Sequence, residues 1–242
     1  MKKSPAIKIY LILATICLMS FKLLGQEDNF FSINLGLSMP LSDFSNTTID
    51  GESGFAQNGL GLSIESVHYF TPNFGLGGVG MFLFNKFDSD AFSESFMELD
   101  PGGTILNLDS RSYFSTNVYA GAYLKFDLSD NFLILTKYRI GGLYFSRMRL
   151  DASWQDSNGS QNLISIKRAR GIAFSYGGGI GVLYRISDKI GTTINADFIS
   201  GNPKYSYWVT EPDGSLNIVV DRKSVSYLLL TWGIAIFIGP DF

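Results

Sequence analysis

The chain has little of several things. One cysteine and one histidine occur in 242 residues, with only seven prolines. Cys17 lies in an apolar run near the start. The chain beyond that run therefore has no disulfide and no thiol chemistry. His68 alone cannot build a zinc site, which draws on several His, Cys or carboxylate ligands. After the first 25 residues no apolar stretch reaches 18 residues, so a spanning helix is excluded there. Basic residues are also scarce beyond that point, 15 against 22 acidic ones, a net charge of −7. Nucleic acid is excluded as a partner, because phosphate binding needs a basic face.

The first 25 residues differ from the rest. Lys2, Lys3 and Lys8 precede an apolar run of 13 residues from Ile9 to Phe21, and Leu23-Leu24-Gly25 closes it with a small residue. This order predicts a cleaved secretory signal over 1–25 and a single domain over 26–242. The run is too short to span a membrane as a helix, which takes roughly 20 residues.

That domain is rich in aromatic residues and glycine (20 Phe, 12 Tyr, 3 Trp and 26 Gly in the whole chain), and it repeats. Three polar turns, Thr71-Pro72-Asn73, Ser129-Asp130-Asn131 and Ser187-Asp188-Lys189, are centred on 72, 130 and 188, each 58 residues from the next. Alternating segments flank them: 63–70 into 74–84, 113–128 into 132–145, and 172–186 into 190–200. Two more stand at the ends, 31–39 and 225–238. A period of two gives a strand two faces in different surroundings. In the last segment Leu228, Leu230, Trp232, Ile234, Ile236 and Ile238 oppose the smaller set Tyr227, Leu229, Thr231, Gly233, Ala235 and Phe237. The pattern predicts an all-β fold, an eight-stranded antiparallel up-and-down transmembrane β-barrel with three tight turns and four long connections.

Alternation alone does not choose the outer face, since a soluble eight-stranded barrel shows it inverted. Three features choose lipid. Aromatics of the apolar face cluster beside the turns (Phe70, Phe74, Phe126, Phe132, Tyr184) and toward the other strand ends (Phe84, Phe114, Tyr144, Phe174, Trp232). The connections are asymmetric, with loops of roughly 18 to 28 residues on one side only. An even strand number places both ends of the barrel on the tight-turn side.

Two segments carry a resemblance. Thr231-Trp232-Gly233-Ile234-Ala235-Ile236-Phe237-Ile238 matches the closing pattern of bacterial outer-membrane barrels, polar–any–Gly–two residues–apolar–any–apolar, and Gly239 to Phe242 follow it. Tyr69 to Gly77 looks like their inner turn. The chain thus resembles small outer-membrane β-barrel domain proteins of the OmpA/OmpX type, a porin-family layout of Gram-negative envelopes. The resemblance implies an outer-membrane location, multi-pass, with loops outside and both termini in the periplasm. It implies outer-membrane lipid, lipopolysaccharide and the barrel-assembly machinery as partners, the last reading Thr231, Gly233, Ile236 and Ile238. It fixes fold better than task.

An eight-stranded barrel is just wide enough for side chains to fill it. The inward face carries Glu65, Lys125, Asp127, Lys137, Arg139, Arg185 and Asp197. Buried charge must pair, which predicts an ion-pair network acting as a plug. A narrow gated pore is the sharper alternative. The glycines at 77, 78, 80, 177, 178, 179 and 181 are expected to let strands curve and pack closely.

The long connections carry further alternation. Met148, Leu150, Ala152 and Trp154 lead to Ser157-Asn158-Gly159, followed by Ile164 and Ile166. Phe132 to Trp154 is 23 residues, roughly 75 Å as a strand, against a lipid band about 25 Å tall. A projecting hairpin is expected there. A second follows around Pro212-Asp213-Gly214, with Tyr205, Tyr207 and Val209 before it and Ile218 and Val220 after. Trp154, Tyr205, Tyr207 and Trp208 are the candidate residues for contacting an extracellular protein or other surface ligand.

Catalytic, cofactor and metal sites are not expected. Lipid A deacylase barrels set His and Ser two apart on the lipid face, with a Glu nearby. Here the order is reversed, as Ser66-Val67-His68, and Glu65 falls on the other face. The acidic residues Asp88, Asp90, Glu94, Glu98, Asp100 and Asp109 lack calcium-loop spacing and read as a solvated surface. The expectation is a non-enzymatic barrel serving envelope integrity or surface recognition and adhesion. A small passive porin and a lipid-modifying enzyme are the alternatives.

Overall fold

The computed structural model describes residues 29–49, 53–210 and 215–238. The expected signal over 1–25 and the hairpin tip at 212–214 lie outside them. Eight long strands carry the fold: β1 (Phe30–Leu41), β2 (Ala56–Tyr69), β3 (Phe74–Phe87), β5 (Tyr113–Asp127), β6 (Phe132–Ser146), β9 (Arg170–Arg185), β10 (Ile190–Gly201) and β13 (Val225–Phe237). Five short strands and a helix belong to the long connections: α1 (Ser89–Leu99), β4 (Thr104–Ser110), β7 (Leu150–Gln155), β8 (Gln161–Ile166), β11 (Lys204–Thr210) and β12 (Leu216–Arg222).

The long strands pair antiparallel with their neighbours, and β13 closes the ring between β10 and β1. Closure removes every edge, which is the condition for a sheet in lipid. Around the ring the alternation becomes geometry. On β13 residues 227, 229, 231, 233, 235 and 237 are buried, while 230, 232, 234 and 236 are exposed. Large apolar side chains cover the outside, including Ile140, Phe174, Ile194 and Trp232. The result is the layout of small outer-membrane barrels, a transmembrane β-barrel with lipid as its outer solvent. Phe132 and Tyr184 meet beside the tight turns at 5.0 Å, and Phe84 and Phe114 meet near the opposite rim at 4.9 Å. Trp232 differs from expectation. It stands mid-strand, between Leu35 and Ile194, because the last strand extends outward to Val225.

The three tight turns are built alike. Phe70 N–H, Leu128 N–H and Ile186 N–H each donate to the carbonyl four residues on, at 3.0, 2.9 and 2.9 Å. The Thr71 and Ser187 hydroxyls accept from the N–H three residues on, at 3.0 and 3.2 Å. Hydroxyl residues at these positions thus satisfy the turn backbone locally.

Two strand bounds move most. β2 begins at Ala56 rather than at 63, and β3 runs on to Phe87. Gln57, Asn58, Gly59 and Gly61 conceal the alternation there. A β-carbon at Gly59 would strike the backbone of Phe84, so the glycine allows the two strands to stay paired.

Candidate functional site

The lumen is filled in three levels. Near the tight turns Phe30, Val67, Tyr69, Tyr123, Leu133, Leu135, Leu183, Ala235 and Phe237 form one buried apolar cluster. Near the long loops a larger cluster includes Met81, Leu83, Leu143, Phe145, Tyr227 and Leu229. Charged groups lie between the two.

Alternation on β2, β6 and β10 aims Glu65, Lys137, Arg139 and Asp197 inward at one height. Lys137 Nζ donates to Glu65 Oε2 at 3.0 Å and to Asn195 Oδ1 at 2.8 Å. Arg139 Nη2 donates to Asp197 Oδ1 at 2.7 Å and stands 3.3 Å from Glu65 Oε1. Lys137 also lies 3.9 Å from Asp197. Tyr123 OH donates to Glu65 Oε1 at 2.9 Å, and the Arg139 guanidinium lies 5.6 Å from the Tyr123 ring centre. All four charged side chains are almost inaccessible, and two cations balance two anions. Such a cluster is tolerable in a low dielectric only because each member is paired and hydrogen-bonded.

The glycines of β9 make the room. Gly179 is paired with both Lys137 and Asp197, and Gly181 with Asn195. A β-carbon at Gly179 would collide with the Asp197 carboxylate, and one at Gly181 with the Asn195 amide. Long polar side chains from both flanking strands lean across this bare stretch of backbone.

The other three expected members stand apart from this cluster. Lys125 is buried but lies 3.9 Å from Asp127, over the Tyr69 ring at 5.3 Å. Asp127 is half exposed at the turn-side rim. Arg185 rests 4.8 Å from the Phe237 ring centre. The reason is height: these three sit at the tight-turn ends of β5 and β9, all on the turn side of the level where β2, β6 and β10 converge. Tyr123 and Asn195 are members that the reading of charges missed.

A second group covers the long-loop mouth. The first loop makes a single 3-10 turn, Ser42–Phe44, and drives Phe44 into the barrel with no exposure. Its ring meets Tyr113, Phe145 and Tyr227 edge-on at 4.9, 5.7 and 5.3 Å. Ser42 and Phe55, at either end of this loop, have φ of 53° and 50°. Left-handed backbone at non-glycine residues is strained and persists only where the surroundings hold it.

Beyond Phe44 the loop strands pair in the order β4-β7-β8-β11-β12, and β11 joins them to the barrel by pairing with β9 at Lys204 and Ile172. The expected hairpins exist as β7–β8 and β11–β12. They are joined to one another rather than standing as separate arms. β6 stops at Ser146, the buried Met148 anchors the connection, and the hairpins join where Val209 faces Ile166. Leu150 and Ala152 are then buried under this cap. The recognition candidates divide accordingly. Tyr205 is buried rather than displayed, because it packs near Phe145 and donates to Asp221 at 3.2 Å. Burial pushes its phenol well above the usual value of 10. Tyr207 lies beneath the Arg147 guanidinium, 4.2 Å from its ring centre. Trp154 meets Phe96 of α1 at 5.3 Å. Trp208 alone of the four points away from the cap interior, 46% exposed.

Helix α1 carries several of the acidic residues, and Asp90, Glu94 and Glu98 are exposed on it. The Asp88 carboxylate accepts from Ala91 N–H at 3.0 Å and caps it. Phe92 and Phe96 turn inward from a helix whose other residues carry the acids, and Phe92 meets Phe55 at 5.3 Å. Together β4, β7, α1 and the first loop enclose a cavity of about 390 Å³.

His68 lies on the lipid side with its ring against Phe70 at 4.7 Å, and Glu65 is in the lumen. Among the described residues no three His, Cys, Asp or Glu come together as a metal site. The C-terminal candidates Thr231 and Gly233 face the lumen, and Ile236 and Ile238 face outward.

No protein-family model matches the sequence, and a search of curated proteins returns no similar one. Solved structures do resemble the fold. The attachment invasion locus protein Ail of Yersinia pestis is 13% identical, with 86% of this chain and 99% of that one covered and a TM-score of 0.44. A major outer membrane protein from Thermus thermophilus is 10% identical, with 86% and 100% covered and a TM-score of 0.49. The outer membrane protease OmpT from Escherichia coli is 8% identical, with 89% and 99% covered and a TM-score of 0.43.

Proposed function

We propose that this protein is a closed scaffold of the bacterial outer membrane that recognises a surface partner through its cap, and that it is not an enzyme. The cap lies outside the cell and both barrel ends lie toward the periplasm. Outer-membrane lipid and lipopolysaccharide surround the apolar belt, and the barrel-assembly machinery reads the last strand. The observation that carries the recognition role is the β11–β12 hairpin. Trp208 and Ile218 oppose each other across it, Leu216 and Val220 flank them, and all four apolar side chains are exposed above a filled lumen. An exposed apolar patch away from lipid marks a contact surface.

The porin alternative has less support. Phe44, the paired charges and the two apolar clusters occupy the path a solute would take. The recognition role is tested with cells displaying the intact barrel or a Trp208→Ser/Ile218→Ser/Val220→Ser variant. Binding to immobilised extracellular proteins and to cells of the same strain is scored. The variant, its fold checked by the shift of its gel band on boiling, is expected to lose adherence. Equal adherence by the folded variant contradicts the proposal.

A further inference from the structure

The cavity under the cap is built differently from the rest of the molecule. Its lining includes Phe55, Phe87, Phe92, Phe96, Ile105 and Trp154. Its volume of about 390 Å³ falls within the roughly 300–1,000 Å³ of small-molecule sites. Leu99, which also lines it, is 66% exposed.

Charge enters it at the barrel end. Arg147 follows β6 directly and lines the cavity, together with Lys223 and Asp221. Lys223 Nζ donates to the Ser53 carbonyl, and Asp221 accepts from Tyr205. Arg147 is the exception. Among the described residues it forms no ion pair, and its buried Nη1 has no hydrogen-bond partner. Stacking on Tyr207 orients the guanidinium and leaves Nη1 without an acceptor. A buried, unsatisfied donor is costly, and an anion would satisfy it.

We propose that this cavity binds an amphipathic anion, a single alkyl chain lying among the aromatic residues with its anionic head on Arg147. The carboxylate of a fatty acid and the phosphate of a single-chain lipid share this chemistry. The proposal rests on the reading of the cap as the outward-facing part. It concerns the space beneath the cap and not the Trp208 face above.

The chain has three tryptophans, and Trp154 is the one in the cavity. The full-length Trp208→Phe/Trp232→Phe protein in phosphatidylcholine nanodiscs therefore reports the cavity by fluorescence. The probes are 12-bromododecanoate, 12-bromododecyl phosphate and 12-bromododecanol, whose bromine quenches on contact. Saturable quenching is expected for at least one anion, at roughly tenfold lower concentration than for the alcohol. The carboxylate and phosphate arms then distinguish a free acid from a lipid. Arg147→Gln is expected to abolish the preference for the anion. Ala152→Phe, which fills the cavity, is expected to abolish saturable quenching by all three. Equal affinity for the alcohol, an unchanged preference in Arg147→Gln, unchanged quenching in Ala152→Phe, or no quenching by any probe would each overturn the proposal. No surface partner is present in this assay, so failure here leaves the recognition reading standing, and failed adhesion leaves this one.

Discussion

The lumen and the cap fill space in opposite ways. In the lumen, four charges neutralise one another within a ring of paired strands. In the cap, apolar side chains from separate loops meet over the mouth, and among the described residues Arg147 forms no ion pair. The lumen is held by closed geometry and matched pairs, so each part depends on its neighbour. The cap is held by packing, so its parts can be altered one at a time. A scaffold needs the first kind of order, and a surface that acquires a partner is served by the second.

Breaking one lumen pair should have the largest effect. Asp197→Ala leaves Arg139 buried without its closest counter-charge and should cost about 3–5 kcal/mol in urea unfolding. Replacing both, as Arg139→Met/Asp197→Leu, should cost far less than the sum of the single changes. Additive losses would mean that the pair is not coupled. Removing the ring that joins the two regions comes next. Phe44→Ala should cost about 3 kcal/mol, and it should expose Tyr113 and Tyr227 to a soluble quencher. A change confined to the cap should be smallest. Tyr205→Phe removes one bond to a carboxylate, about 1 kcal/mol or somewhat more. The folded pKa of Tyr205 is raised, so its contribution is complete below the unfolded value, about 10, and is lost as pH rises beyond it. Cap fluorescence from Trp208 should therefore change above pH 10 in the parent, and this component should be absent from Tyr205→Phe.

The barrel was legible because lipid and lumen impose opposite demands on alternate residues, and those demands repeat along β5, β6 and β13. The turns were legible because each has a hydroxyl residue at the same place, and in two of them that hydroxyl accepts from the turn backbone. The lumen cluster was half legible. The inward charges could be named, but height along the barrel could not be read from charge alone, so Lys125, Asp127 and Arg185 were grouped with residues they do not meet. The missing coordinate was in the sequence all the same. Tyr123 with Glu65, Lys137 with Asn195, and Arg139 with Asp197 are each 58 residues apart, the turn spacing itself. Residues at equivalent points of successive hairpins share a height and meet across the lumen. The cap has no such repeat. Phe44 is a lone aromatic among polar residues. In α1, Phe92, Phe96 and Leu99 at helical spacing behind Asp88 were hidden by the acids between them.

The central claim is that the barrel is closed and that its work is done at the cap. Planar-bilayer recording of the purified, heat-shift-competent protein tests it most directly. No discrete conductance steps are expected from the parent protein, because the paired charges and the two apolar clusters fill its lumen. Reproducible steps from the parent itself would contradict the account and make the protein a channel.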